Sequence, residues 1–244
     1  MSNQIKTAII TGASSGLGLG VAEAFVGRGV NVVLNARNEK KLAAVAERLG
    51  ASKASIVPGD VGDAETGQRM VEEAVARFGG VDFLLNNAGV FEVKSFTDYT
   101  LEDIDQQLRY LRGMYLASQA AARQMRKQGG GAIVNITSVM ATRGVAAIPS
   151  SAPMAGKGGI NALTANLAVE LAPDNIRVNT IAPGIVKTPL HGRTDEQFAE
   201  LNGMQPLGRV GEVKDIVDAV LYLADANWVT GVILPVDGGV SAGG

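Results

Sequence analysis

Hydrophobic positions along this chain form short continuous runs, separated by longer stretches with helical spacing. Seven runs have the length of strands and are apolar at most positions, as in parallel strands that are covered on both faces. They lie at 7–11, 31–35, 54–58, 81–86, 132–137, 176–182 and 232–236. Helical patterns occupy the intervals, near 16–28, 39–49, 64–78, 101–128, 154–171 and 212–225.

The alternation of strand and helix predicts the fold class. Strand–helix–strand units are right-handed and build a parallel sheet with helices on both faces. The chain has 244 residues and contains no linker, internal repeat or low-complexity block. We therefore expect an α/β protein with one domain over 1–244, whose glycine-rich tail either frays or lies against another subunit.

Composition narrows the possible partners. The chain is 46% hydrophobic and 19% charged, with a net charge of −2, which is typical of a soluble globular protein. It has no basic block that would favour nucleic acid or an anionic membrane, and no cysteine for disulfides or thiolate metal sites. One histidine, His191, cannot form a multi-histidine metal site, so no metal is expected. Neither a signal peptide nor an apolar run of about 18 residues is present, which predicts a cytoplasmic protein.

A glycine-rich segment, TGASSGLG at 11–18, joins the first predicted strand to the first predicted helix. Gly12, Gly16 and Gly18 have the spacing GxxxGxG, and small residues there allow the backbone to turn sharply and approach a pyrophosphate. The helix N-terminus favours the negative charge of that group. A glycine-rich turn is the structural alternative, but its place between strand and helix favours nucleotide binding.

The end of the second predicted strand bears on the choice of cofactor. Sites that prefer NAD carry an acidic residue near this position for the ribose 2′-hydroxyl. This chain has Ala36 and Arg37 instead. A guanidinium matches the geometry of a 2′-phosphate, so Arg37 favours NADP(H) over NAD(H), the alternative being a solvated surface arginine. The case for NADP(H) is weakened slightly by Ser15, because the glycine loop then has no second cation for the 2′-phosphate.

Five motifs in order resemble those of the short-chain dehydrogenase/reductase family over essentially the full length. They are TGASSGLG, NNAG at 86–89, NITSV at 135–139, Lys157 and PGIVKTP at 183–189. The resemblance implies a single-domain, doubly wound Rossmann-type fold with a seven-stranded parallel sheet, usually in a homotetramer or homodimer. It also implies hydride transfer between NAD(P)(H) and a small carbonyl or alcohol substrate.

The resemblance assigns cofactor contacts to four groups of residues. It implies that Gly12, Ser14, Ser15, Gly16, Leu17 and Gly18 surround the phosphates. Asp60 and Val61 would flank the adenine, and Asn87, Ala88 and Gly89 would line the adenosine side. Pro183, Gly184, Val186 and Thr188 would hold the nicotinamide end, and Lys157 would face the ribose.

The catalytic pattern of the family is only partly present. The family uses a serine, a tyrosine, a lysine and an asparagine. Ser138 and Lys157 match the serine and the lysine, but Pro153 stands at the tyrosine position and Tyr110 stands at the asparagine position. Proline has no proton to give to the alkoxide that hydride transfer produces, although it suits the first turn of a helix.

Tyr110 leaves two interpretations open. If the family's geometry holds, the chain loses one phenol from the catalytic cluster and gains another, and Tyr110 supplies the proton. Otherwise Tyr110 is an aromatic side chain that fills space. Tyr99 and His191 are weaker candidates for the donor.

Two functions follow from these residues. One is an NADP(H)-dependent oxidoreductase of the carbonyl reductase type with a nonstandard proton donor. The other is a cofactor-binding protein without turnover, which acts as a sensor or assembly partner. The predicted substrate pocket contains Met140, Val145, Ile148, Phe198 and Met204, which favours an apolar or mixed compound. Arg143 and His191 could recognise an acidic group, but the favoured interpretation is that they are solvated loop residues.

Overall fold

Seven parallel strands form one sheet in the computed structural model, which describes residues 5–145 and 148–243. Its order is β3-β2-β1-β4-β5-β6-β7. The strands are β1 Thr7–Thr11, β2 Asn31–Ala36, β3 Ala54–Pro58, β4 Phe83–Asn86, β5 Gly131–Ile136, β6 Ile176–Pro183 and β7 Ile233–Val236. The predicted α/β Rossmann-type sheet is thus confirmed.

Helices cover both faces of this sheet. They are α1 Gly16–Gly27, α2 Glu39–Leu49, α3 Thr66–Phe78, α4 Leu101–Gln128, α5 Ser151–Glu170, α6 Asp195–Ala199 and α7 Val213–Asp225. Successive side chains of a strand point to opposite faces of the sheet. In β1, Ala8 and Ile10 therefore pack against α1, α2 and α7, while Ile9 packs against α3, α4 and α5. In the described part of the chain, no helix has the length and apolarity to cross a membrane.

The β1–β4 boundary positions the site. The chain first builds β1, β2 and β3 outward in one direction and then returns to place β4 on the other side of β1. Such a reversal of strand order leaves a crevice at the carboxyl ends of the two strands, where ligands of open α/β sheets bind. The glycine loop and the NNAG segment both follow strands that meet at this crevice.

Several predicted boundaries were wrong by one to three residues, and those of the fourth strand and the fifth helix are described here. The fourth strand begins at Phe83 and not at residue 81. Just before it, the Asp82 carboxylate accepts the backbone N–H groups of Lys6 and Thr7, at 2.8 and 2.9 Å. The fifth helix begins at Ser151 and not at 154, so Pro153 lies in its first turn, where the absent N–H costs little.

A short helix, α6, was missed. Thr194 accepts the N–H of Gln197, and the Gln197 side chain accepts the N–H of Thr194, which forms a capping box. The TxxQ pattern at 194–197 is the sequence signal that could have revealed it.

Candidate active site

The glycine loop and the NNAG segment are held together by Thr11, the last residue of β1. Its hydroxyl accepts the backbone N–H groups of Asn87 and Ala88, at 2.9 and 3.0 Å. In return, the Asn87 amide donates to the Thr11 carbonyl at 2.9 Å. The two loops predicted to bind the cofactor are therefore one connected unit.

The glycines of the loop leave room that a side chain would fill. Gly12 and Gly16 have φ values of +67° and +55°, a region that side chains disfavour. A Cβ on Gly18 would lie 2.5 Å from the Gly12 carbonyl oxygen. Ser15, the N-cap of α1, uses its side chain for no capping bond, and the loop faces the positive end of that helix. This backbone cradle fits the pyrophosphate of a nicotinamide dinucleotide.

The predicted adenosine end contains charged groups. Asp60 accepts the N–H of Gly62 at 2.8 Å, and its other oxygen lies 3.3 Å from Nε of Arg109. Val61 is buried, and its carbonyl packs where a Cβ on Gly113 would lie. Arg37 is exposed directly after β2, beside the glycine loop. No acidic residue stands at this strand end to bind a ribose 2′-hydroxyl.

A cavity of about 490 Å³ opens beside the other end of the cradle. Ser138 and Lys157 line it together with the predicted nicotinamide segment, residues Pro183, Gly184, Val186 and Thr188, and with Leu17, Asn87 and Gly89 from the cofactor loops. The remaining lining is mainly apolar, and it includes the predicted Met140, Val145, Ile148 and Met204. The structure thus brings the two matched catalytic positions to one wall.

Ser138 and Lys157 are positioned by contacts between β5 and α5. The Lys157 ammonium donates to the Thr137 carbonyl at 2.8 Å. One turn later on the same helix, Asn161 accepts the Thr137 hydroxyl at 3.0 Å. Ser138 is buried and accepts the N–H of Met140 at 3.2 Å, so its own proton remains available. Desolvation by the surrounding protein lowers the pKa of Lys157 to about 8.

Tyr110 does not line the large cavity. It faces a separate space of about 20 Å³, enough for about one water molecule, which it shares with Pro153, Gly156 and Lys157. Burial raises the pKa of the Tyr110 phenol, with smaller effects from Arg37, Asp60 and Arg109. These neighbours place the phenol toward the predicted adenosine end. The space around Tyr110 still shares Lys157 with the large cavity, as is required if Tyr110 supplies the proton.

The two weaker donor candidates differ in their surroundings. Tyr99 donates its hydroxyl to the Glu92 carbonyl at 2.9 Å and is absent from the large cavity. His191 lines that cavity. Its ring lies edge-on to Phe91 and Phe198, with centroid distances of 6.2 and 6.0 Å.

Several lining residues were not anticipated. They are Val90, Phe91, Val93 and Val240. The first three follow the NNAG segment, and loops at the carboxyl ends of strands line ligand crevices, so their position was a usable signal. Phe198, which was predicted to border the pocket, is buried behind His191.

The glycine-rich tail folds back on its own chain. The Asp237 carboxylate accepts the N–H groups of Gly239 and Ser241, at 2.9 and 2.7 Å, and Arg143 donates to the Ser241 carbonyl at 2.7 Å. These bonds hold Val240 against the cavity. Arg143, which was considered for substrate recognition, is therefore engaged with the tail.

Comparison with known proteins identifies relatives along nearly the whole chain. The family model described as "Enoyl-(Acyl carrier protein) reductase" matches residues 12–241. The chain is 38% identical to a 3alpha-hydroxysteroid dehydrogenase of Mediterraneibacter gnavus, covering 96% of both chains. It is 37% identical to an L-rhamnose-1-dehydrogenase of Scheffersomyces stipitis, covering 96% of this chain and 95% of that one.

The fold agrees with these matches. A crystal structure of a short-chain type dehydrogenase/reductase from Mycobacterium marinum superposes with a TM-score of 0.91 and 34% sequence identity, covering 98% of this chain and 96% of that one. The motifs, sheet order, cofactor cradle and relatives agree. This chain belongs to the short-chain dehydrogenase/reductase family of oxidoreductases, which use a nicotinamide cofactor.

Proposed function

We propose that the protein is an NADP(H)-dependent oxidoreductase that transfers hydride between the nicotinamide and a small carbonyl or alcohol substrate. The observation that carries this proposal is the meeting of Ser138 and Lys157 on one wall of the 490 Å³ cavity, beside the segment Pro183–Thr188. The bound cofactor would supply or accept the hydride. The largely apolar wall favours an apolar or mixed substrate over a highly charged one.

The cofactor-binding roles predicted from the sequence are retained in this proposal. The glycine loop would hold the phosphates, Asp60 and Val61 the adenine, and the NNAG segment the adenosine side. Lys157 would donate a hydrogen bond to the ribose, because its ammonium has three N–H groups and only one of them is used by the Thr137 carbonyl. Ser138 would donate its hydroxyl to the substrate oxygen. A cytoplasmic location and a homodimer or homotetramer remain predictions of the sequence.

Cofactor choice is tested by Arg37→Ala. Loss of a charge-assisted bond to the 2′-phosphate should weaken NADPH binding by about 1–3 kcal/mol and leave NADH binding little changed. Titration of both cofactors by calorimetry measures this. Arg48→Ala is the matched control, since Arg48 is an exposed arginine at the other end of α2, paired with Glu23 at 2.8 Å. Equal losses for NADPH and NADH would exclude the proposed role of Arg37.

The second candidate function, a cofactor-binding protein without turnover, is favoured by Pro153 at the position where the family has tyrosine. Direct NADPH binding and NADPH oxidation should be measured together on a broad panel of ketones and ketoesters. Binding with oxidation supports the enzyme. Tight binding with no oxidation of any compound supports the second function.

Restoring the family pattern provides a stronger test. In the double variant Pro153→Tyr/Tyr110→Asn, the new phenol lies one helical turn before Lys157, and the smaller residue at 110 makes space in a cavity of about 20 Å³. General acid catalysis is worth roughly 10²–10⁴-fold, so kcat should rise by about 10²-fold or more where the wild type has no working proton donor, and should change little where another residue already fills that role.

The control for that variant is Pro153→Phe/Tyr110→Asn, which adds the ring without the hydroxyl. NADPH binding should be the same in both. If the wild type oxidises no NADPH and neither variant gains activity, Ser138 and Lys157 are not aligned for hydride transfer, and the function without turnover is favoured.

A further inference from the structure

The large cavity contains few groups that can exchange a proton. Its titratable lining residues are Lys157, His191 and Arg193, and no carboxylate or phenol is among the described residues that line it. Arginine keeps its proton throughout the working pH range. Lys157 is bonded to the Thr137 carbonyl and is proposed to hold the ribose. This leaves the imidazole of His191 as the titratable lining group that is not assigned another partner, and an imidazole can both accept and donate a proton near neutral pH.

The position of His191 is set by its neighbours. The residue ends a 3-10 turn, Pro189–His191, that directly follows the proposed nicotinamide segment, and its N–H donates to the Thr188 carbonyl at 3.3 Å. Phe91, from the loop after β4, and Phe198, from α6, contact the ring at interplanar angles of 69° and 85°. Edge-to-face contacts of this kind orient a ring without using its nitrogens.

Neither ring nitrogen has a hydrogen-bond partner among residues 5–145 and 148–243. His191 is half-buried, and its ring nitrogens are not among the fully buried polar atoms that lack a partner, so they remain accessible. The residue lines a cavity that also contains the Ser138 hydroxyl. That arrangement suits a group that bonds to a ligand.

We infer that His191 is a catalytic residue that exchanges a proton with the substrate oxygen, the task for which the family uses a tyrosine. This inference rests on the proposed function. During alcohol oxidation the carbinol C–H bond breaks, and the hydride leaves with its electron pair for the oxidised nicotinamide of NADP⁺. The hydroxyl proton passes to the imidazole as the C=O bond forms. The products are a carbonyl compound, NADPH and an imidazolium, which releases its proton through the cavity mouth.

The surroundings favour a neutral imidazole. Burial lowers the pKa of His191, and the positive charges of Arg193 and Lys157 lower it further. The other groups that pack on the ring, Phe91 and Phe198, carry no charge. A neutral imidazole at pH 7 acts as a base, so oxidation should keep its rate at pH 6.5, where an ordinary histidine is half protonated, and lose it only at lower pH, where His191 gains its proton.

The chain contains one histidine, which permits a direct measurement. The imidazole signals in the NMR spectrum belong to His191 without further assignment. Their titration in the wild-type protein should report a pKa below the ordinary value. Addition of NADP⁺ should shift these signals, and a later addition of 3α-hydroxysteroid or L-rhamnose should shift them again if the ring meets the substrate.

Kinetics on variants tests the role itself. Oxidation of L-rhamnose, a 3α-hydroxysteroid and a panel of alicyclic alcohols with NADP⁺ should be measured for wild type, His191→Gln and Tyr110→Phe. His191→Gln should lower kcat by roughly 10²–10⁴-fold and leave NADP⁺ binding unchanged. It should also remove the acidic limb of the pH profile. In His191→Ala, added imidazole should restore part of the rate.

The outcomes separate this inference from the proposed function. If the wild type binds NADP⁺ and oxidises nothing on the panel, both are overturned. If the wild type is active and His191→Gln keeps its rate and pH profile, only the assignment to His191 is overturned. If Tyr110→Phe loses the rate instead, the phenol predicted from the sequence is the donor. Loss of rate in His191→Gln without imidazole rescue in His191→Ala or a changed pH profile indicates a packing role and also overturns the inference.

Discussion

Lys157→Met is expected to lower kcat by roughly 10³-fold or more without destabilising the fold. The ammonium lies on the wall shared by the large and small cavities, where the proposed function needs a cation to hold the ribose of the cofactor. Methionine keeps the length of the side chain and removes the charge. Steady-state kinetics with NADPH and a ketone panel measures the loss.

The stability of the same variant should stay level or rise. Burial lowers the pKa of Lys157 from 10.5 to about 8, and no carboxylate offsets the cost of the buried charge. A shift of this size corresponds to as much as about 3 kcal/mol at neutral pH. Above pH 8 the folded protein gives up this proton while the unfolded chain keeps it until about pH 10.5, so stability from this group rises with pH. The advantage of Lys157→Met should therefore shrink between those values.

Urea unfolding of wild type and variant at several pH values measures this difference. Lys214→Met is the control, since Lys214 is exposed on α7 and pairs with Asp218. It should change neither kcat nor the pH dependence. A loss of several kcal/mol in Lys157→Met would show that the lysine stabilises the fold, contrary to expectation.

Gly18→Ala is expected to lower NADPH affinity by about 10²-fold or more. The added Cβ would lie 2.5 Å from the Gly12 carbonyl oxygen and 2.7 Å from the Asn87 amide nitrogen. A backbone atom in a tight turn cannot move aside, so the whole loop must shift away from the phosphates. The same crowding should cost about 1–3 kcal/mol of folding free energy. Calorimetric titration and thermal unfolding measure the two effects.

Gly27→Ala is the matched control on the same helix. A Cβ there meets no atom within 4 Å, so the variant should bind NADPH normally. Its stability should stay the same or rise by about 0.4–1 kcal/mol, because alanine restricts the unfolded chain. Normal NADPH binding by Gly18→Ala would contradict the assignment of the phosphates to this loop.

The helices show which boundaries the local sequence pattern predicts correctly and which it does not. The bounds of α2 and α4 agree with the sequence prediction, because Asn38 and Thr100 accept capping bonds at their starts and Gly50 and Gly129 follow their ends. The start of α5 was missed, since its first turn has no amphipathic pattern. There, Gly156 packs on the Gln107 carbonyl of α4, a contact between distant parts of the chain.

Much of the candidate site could be predicted from the identities of its residues and from their positions at the ends of strands. The positions of Gly12, Asn87, Ser138 and Lys157 follow from strands that end at the same edge of a parallel sheet, so their order along the chain predicts that they converge. The absence of a phenol at Pro153 is likewise visible without coordinates. Both statements need only local periodicity and the parallel arrangement.

By itself, then, the sequence determined the parallel sheet, the loops that surround the crevice and the chemical gap at Pro153, because hydrophobic period and turn residues act over short distances. The tertiary structure alone decided which cavity each side chain faces. Tyr110 lies in the small space and His191 in the large one, although both were candidates. That choice depends on packing between Phe91, His191 and Phe198, which approach one another only when separate loops fold over the sheet.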